Sequence, residues 1–247
     1  MPDWSNYNGF ASHRLLREAA GSLLEQFTVT TKVGFFPDRH DLDPDRLRTA
    51  IQQAGADLGR APDTVLIHNP ERSPAAFVPA CLALGWMKAE GLLGSWGVAT
   101  WDPRPLLHRT YTGPVPDVLM LRAGLTVPTA VLEAGEHLIA AMAPVQVHGM
   151  APFGHSTADP LWSALDLSPL LAPGQRSDTI AAAFAAAFHL PPVTQIAVGT
   201  SRTDHLAHLA QARLLDVDTQ AIARYRDLLH RKATVGLITP EPTRSLT

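Results

Sequence analysis

A single cysteine, Cys81, stands in 247 residues, so no internal disulfide can form. Such thiol usage fits a reducing compartment, and the expected location is cytoplasmic. No charge of one sign dominates either: the formal net charge is −3, which offers no bulk attraction to nucleic acid or to an anionic membrane. No apolar run approaches the roughly 18 residues of a membrane span. The opening Met1-Pro2-Asp3-Trp4-Ser5-Asn6-Tyr7 is polar and lacks the basic and apolar regions of a secretory signal. Low-complexity segments and identity-level repeats are absent. No metal is expected: His148 and His155 flank one turn and His205 and His208 lie three apart, but neither set has a cysteine or carboxylate at ligand spacing.

What is present is an alternation of patterns. Hydrophobic residues make up 46% of a chain long enough for one large α/β domain, expected to span residues 1–247. Residues 12–27 place Leu15, Leu16, Ala19, Ala20, Leu23, Leu24 and Phe27 at helical spacing. A β-rich run, 28–33, ends at Gly34. Residues 44–58 predict a helix with Leu47, Ala50, Ile51, Ala54 and Leu58 on one face and Pro44 in its first turn. Further strands are predicted at 64–68, 94–99, 118–121, 145–148 and 195–198. Helices are predicted at 74–90, near 103, at 128–140, 177–189, 203–213 and 217–231. Residues 151–176, rich in Pro, Gly and Ser, predict one long loop placed as a lid, with Leu161 and Trp162 lining a pocket. Strands alternating with helices mean parallel strands joined by helical crossovers. The apolar strands read as buried on both faces. A (β/α)8 barrel leads on this pattern, with a doubly wound open sheet second, although only six good strands are visible.

His68 ends the apolar run Thr64-Val65-Leu66-Ile67, and Asn69-Pro70 then stops the strand. In a parallel barrel, chemistry sits at that end of a strand. A histidine there is also often a satisfied polar residue with no further role.

The motifs, taken in order, resemble those of the aldo-keto reductase superfamily, and the resemblance covers nearly the whole chain. Asp3-Trp-Ser-Asn-Tyr7-Asn-Gly9 resembles the family's Asp-Thr-Ala-x-x-Tyr-Gly segment after the second strand. Thr30-Thr-Lys32-Val-Gly34 resembles the third strand, Leu66-Ile-His68-Asn-Pro70 the fourth, and Ser95-Trp-Gly97-Val98-Ala99-Thr100 the fifth. Ile196-Ala-Val-Gly199-Thr200-Ser201-Arg202 resembles the eighth. The resemblance implies a catalytic tetrad of Asp3, Tyr7, Lys32 and His68. A tyrosine hydroxyl, with a pKa of about 10, is a poor acid at neutral pH, and an adjacent ammonium lowers that pKa. Lys32 would tune Tyr7, Asp3 would hold Lys32, His68 would polarise the substrate carbonyl, and Tyr7 would protonate its oxygen. Reduced nicotinamide would supply the hydride.

The sequence departs from the family pattern in three respects. Asp3 lies four residues before Tyr7 where the family has five. Only Met1 and Pro2 precede Asp3, so the expected fold is a TIM-type barrel lacking the first strand/helix unit and most of the second strand. Its open edges call for an upstream start, a partner chain such as a second copy in a homodimer, or rearranged termini. The nicotinamide contacts are thinned: Ala99-Thr100 replaces the family's Ser-Asn pair, Met120 a glutamine, and Met150 a stacking aromatic. At the phosphate end Gly199, Thr200, Ser201 and Arg202 open a helix, and Arg202 or His205 would meet an adenosine 2′-phosphate, favouring NADPH. Helix capping by Thr200 and Ser201 accounts for the same residues.

The resemblance therefore implies NADPH-dependent reduction of an aldehyde or ketone, with a small carbonyl compound as the expected substrate and a second copy of the chain as one expected cover for the open barrel edge. A cofactor-independent acid–base enzyme, such as a lyase, isomerase or cyclase, is the alternative. So is a non-catalytic protein on a reductase scaffold.

Overall fold

The computed structural model describes residues 11–154 and 156–234. Asp3, Tyr7, His155 and the last residues of the chain lie outside the described residues.

Six strands form one sheet: β1 (Thr30–Val33), β2 (Thr64–His68), β3 (Ser95–Thr100), β4 (Val118–Arg122), β5 (Gln146–Met150) and β6 (Gln195–Ala197). They are parallel and sit side by side in chain order. Parallel neighbours require crossovers, and these run through α2 (Pro44–Leu58), α3 (Phe77–Ala89), a 3-10 turn at Arg104–His108, α4 (Thr129–Met142), and α5 (Pro160–Ala164) with α6 (Thr179–Ala187). Helix α1 (Ser12–Ala20) precedes β1, and α7 (Thr203–Ala212) and α8 (Thr219–Thr234) follow β6. The sheet curls into a half-barrel, and sequential parallel order brings every strand's C-terminal end to one rim.

Local chemistry explains the elements. The Asp43 carboxylate accepts from the N–H groups of Asp45 and Arg46, both at 3.1 Å, which caps α2. Pro44 fits the first turn, and Gly59, at φ 78°, ends the helix. Leu47, Ala50, Ile51, Ala54 and Leu58 are all buried, as their spacing predicts.

The strand register sorts side chains onto two faces. Val33, Val65, Ile67, Trp96, Val98, Leu119 and Leu121 point outward and form one core with α2, α3 and α4. The opposite, concave face carries Leu66, Ala99, Val118, Met120 and Met150, with Trp101 packed against them. Gly97 belongs to this face, and the close approach of β4 requires it. A Cβ there would lie 2.0 Å from the carbonyl oxygen of Val118.

Two sequence expectations are corrected. The predicted helix over 12–27 breaks at Gly21, φ 51°, and continues as a 3-10 turn to Gln26. Of its apolar stripe Leu24 is buried, whereas Leu15, Leu16, Leu23 and Phe27 are exposed. The segment 151–176 is not one loop: Asp159 caps α5, accepting from Leu161 N–H at 2.8 Å, and a 3-10 turn follows at Ser168–Leu170. Trp162 does not line a pocket; it is 3% exposed, donates Nε1–H to the Ser156 carbonyl at 3.1 Å, and packs with Leu167, Leu171 and Ala182. Leu161 points outward and is exposed.

Candidate functional site

Lys32 and His68 sit on neighbouring strands, on the same concave face. Lys32 pairs in register with Leu66, two residues before His68, so both side chains project from one side near the rim. Burial lowers the Lys32 ammonium from its usual value. His68 is 7% exposed and is pushed down to about 3, first by burial and then by the charges of Lys32, His40 and Arg72. At neutral pH its imidazole is therefore uncharged, a hydrogen-bonding group rather than an acid.

The loop after β1 encloses this histidine. Gly34, at φ 124°, turns the chain so that the Phe35 ring lies edge-on to His68, at 4.8 Å between centroids. The same ring is 4.8 Å from His40. His40 contacts the His68 carbonyl oxygen through Nε2 at 2.9 Å and the Ser73 hydroxyl through Nδ1 at 3.1 Å. The β2 rim is thus tied to the β1 loop.

Glu71, the residue after the fourth-strand motif and one to which the sequence assigns no role, joins β2 to β3. Its carboxylate accepts from the Thr100 hydroxyl at 2.7 Å and from the N–H groups of Trp101 at 2.8 Å and Asp102 at 3.1 Å. Burial raises its pKa, partly offset by those bonds. Nothing in the local sequence signals this contact, because its partners lie about 30 residues away.

The assigned cofactor residues fall into three groups. Ala99, Met120 and Met150 come together as an apolar floor on the concave face. Thr100 does not join them: it is fully buried on the opposite face, with its hydroxyl on Glu71. Strand alternation is the reason, since Ala99 and Thr100 must face opposite ways. At the far end, Gly199, Thr200 and His205 line a cleft of about 480 Å³ with Ala151, Phe153 and Asp178. The cleft begins at Ala151, immediately after Met150. Ser201 and Arg202 lie outside that lining among the described residues. Thr200 Oγ1 accepts from Arg202 N–H at 3.1 Å, which closes a turn ahead of α7 and does not cap it: Arg202 holds the N-cap position with no side-chain cap bond, and its guanidinium is paired with Asp204 of the same helix.

A second residue missed by the sequence reading, Arg122, closes β4 on the concave face. It is 6% exposed and stacks over Trp101 at 4.6 Å. Among the described residues no group of three or more His, Cys, Asp or Glu could hold a metal ion. No helix among them is long and apolar enough to cross a membrane.

An apolar ring fits the floor of Met120 and Met150, and an elongated polar group fits the cleft beyond it. A dinucleotide has that shape. Ala99, Met120 and Met150 themselves offer packing and no hydrogen bond to a carboxamide; the polar side chains beside them on the same face are His148 and Arg122.

Solved structures share this fold. The aldo-keto reductase AKR11C1 from Bacillus halodurans, in its holo form, matches with a TM-score of 0.70 at 17% identity, covering 91% of this chain and 80% of that one. The thermostable aldo-keto reductase Tm1743, solved with the inhibitor epalrestat, matches at 0.65 with 18% identity, covering 90% and 79%. An aldo/keto reductase from Brucella melitensis matches at 0.61 with 15% identity, covering 87% and 78%. No protein-family model matches the sequence, and no curated protein does.

Proposed function

We propose that this chain, which has the fold of the aldo-keto reductases, reduces an aldehyde or ketone to an alcohol using NADPH. The observation that carries the proposal is the placement of Lys32 and neutral His68 together near the rim of the concave face, which also carries the apolar floor of Ala99, Met120 and Met150. The six strands are read as strands three to eight of a (β/α)8 barrel.

His68, uncharged, donates a hydrogen bond to the substrate carbonyl and polarises it without adding charge to the pocket. Lys32, partly desolvated, lowers the pKa of Tyr7, which delivers the proton to the forming alkoxide, and Asp3 holds Lys32 in place. When bound, the reduced nicotinamide supplies the hydride. Ala99, Met120 and Met150 pack against its ring, and Gly199, Thr200 and His205 receive the phosphate end. A soluble cytoplasmic protein acting on a small carbonyl compound suits the single buried Cys81 and the near-balanced charge.

A second reading follows from one observation. Met120 and the turned-away Thr100 withdraw two of the side chains expected to hold the carboxamide. A site with Tyr7, Lys32 and His68 but little hold on nicotinamide would catalyse proton transfer alone, as a lyase, isomerase or cyclase.

Titration of the purified protein with NADPH, followed by quenching of tryptophan fluorescence, separates the two. Saturable micromolar binding supports the reductase; its absence in folded protein favours proton-transfer chemistry. Tyr7→Phe should abolish turnover while NADPH affinity stays nearly intact. Full turnover in Tyr7→Phe would remove Tyr7 from the mechanism.

A further inference from the structure

The surroundings of His68 are cationic beyond what carbonyl reduction uses. The Arg72 guanidinium carbon lies 5.3 Å from the centroid of Phe35, whose ring is itself 4.8 Å from the His68 ring. One aromatic ring therefore separates an exposed guanidinium from the group that meets the carbonyl. Lys32 and Arg122 add positive charge to the same rim. Among the described residues the nearby carboxylates are committed elsewhere, and Asp3 is assigned to Lys32: Glu71 accepts three hydrogen bonds from Thr100, Trp101 and Asp102. Asp102 is held by Arg104, whose Nε–H it accepts at 2.8 Å and whose Nη2–H it accepts at 2.6 Å. Among the described residues Arg72 has no carboxylate partner.

We infer that the carbonyl substrate carries a carboxylate, bound by Arg72 at the mouth of the site while its carbonyl oxygen meets His68. This rests on the reductase reading. Stacking on Phe35 orients the planar guanidinium, so its paired N–H groups are presented to an incoming carboxylate with little entropy left to lose. The fork fits two carboxylate oxygens side by side, and charge assistance strengthens both bonds. Phe35 sets the spacing: the carboxylate and carbonyl of the substrate are separated by about the width of one aromatic ring or a short chain. The Arg72 charge also acts on His68, as the least of the influences that lower the imidazole after burial, Lys32 and His40.

The test compares para-carboxybenzaldehyde with para-formylbenzamide, which has the same shape and no charge. The wild-type protein should favour the acid in kcat/KM by about tenfold or more. Arg72→Gln should bring that ratio toward one, chiefly through the KM of the acid, and Arg72→Lys should restore part of it by keeping charge without the fork. Arg224→Gln, an exposed arginine on α8, should keep the wild-type ratio. Equal use of the two aldehydes by the wild type, or an unchanged ratio in Arg72→Gln, overturns the inference and leaves the reductase reading standing. Turnover of neither aldehyde counts against the reductase reading instead. Binding of the non-reactive para-(hydroxymethyl)benzoate, followed by tryptophan fluorescence, then decides the matter. Saturable binding that Arg72→Gln weakens about tenfold sustains the carboxylate site, and equal or absent binding overturns it.

Discussion

Replacing Glu71 by alanine tests how the site is held. The carboxylate serves three donors at the start of the loop after β3: the Thr100 hydroxyl and the N–H groups of Trp101 and Asp102. Leaving a buried donor unpaired costs about 1–3 kcal/mol. Thr100 is fully buried, whereas Asp102 is partly open to water, so the three penalties are unequal. Part of the loss is recovered, because burial already disfavours the charged carboxylate and its removal relieves that strain. The net destabilisation of Glu71→Ala is about 2–4 kcal/mol, a large share of the roughly 5–15 kcal/mol that holds a typical domain. Glu71→Gln keeps one acceptor oxygen and should lose about half as much. Urea unfolding followed by tryptophan fluorescence reads both. The folded pKa of Glu71 is raised, so its stabilising contribution is complete below the ordinary value of 4.5 and is lost as pH rises through the raised value. The gap between wild type and Glu71→Ala should therefore narrow over that window. A cost below about 0.5 kcal/mol for Glu71→Ala at every pH would refute the cradle as a holding device.

Other consequences can be checked in the same protein. His68, depressed to about 3, contributes stability that is complete above its unfolded pKa of 6.5 and is lost as pH falls toward 3; His68→Asn should flatten that part of the acid-unfolding profile. Titration of the His68 ring by NMR should show no protonation above pH 5. Gly97→Ala drives a methyl group into the Val118 carbonyl and should destabilise by more than about 3 kcal/mol or prevent folding, measured by thermal unfolding. Asp43→Ala removes the α2 cap and should cost about 0.5–2 kcal/mol in urea unfolding, with Asp43→Asn nearly neutral.

What was legible in the sequence was local. The α2 face from Leu47 to Leu58 and the strand ending at His68 follow from period and punctuation, and both were found where the pattern places them. Six parallel strands in chain order follow from the alternation of elements. What was missed depends on contacts between distant residues. The outward turn of Thr100 follows from strand parity, once His68 and Ala99 are seen to face the same way. Glu71 and Arg122 acquire roles only when the β3 and β4 rims are brought beside β2. The breakdown of the first helix at Gly21 was signalled by the glycine itself, but the apolar stripe outweighed it.

The most direct test of carbonyl reduction at Lys32 and His68 is the loss of nicotinamide absorbance when the protein is mixed with NADPH and a panel of aldehydes, in the wild type and in His68→Leu. Reduction at this site predicts steady, substrate-dependent oxidation of NADPH that falls at least about a hundredfold in His68→Leu, with the variant still folded and still binding NADPH. Equal rates in the two proteins, or no oxidation by folded wild-type protein with any aldehyde in the panel, would contradict it.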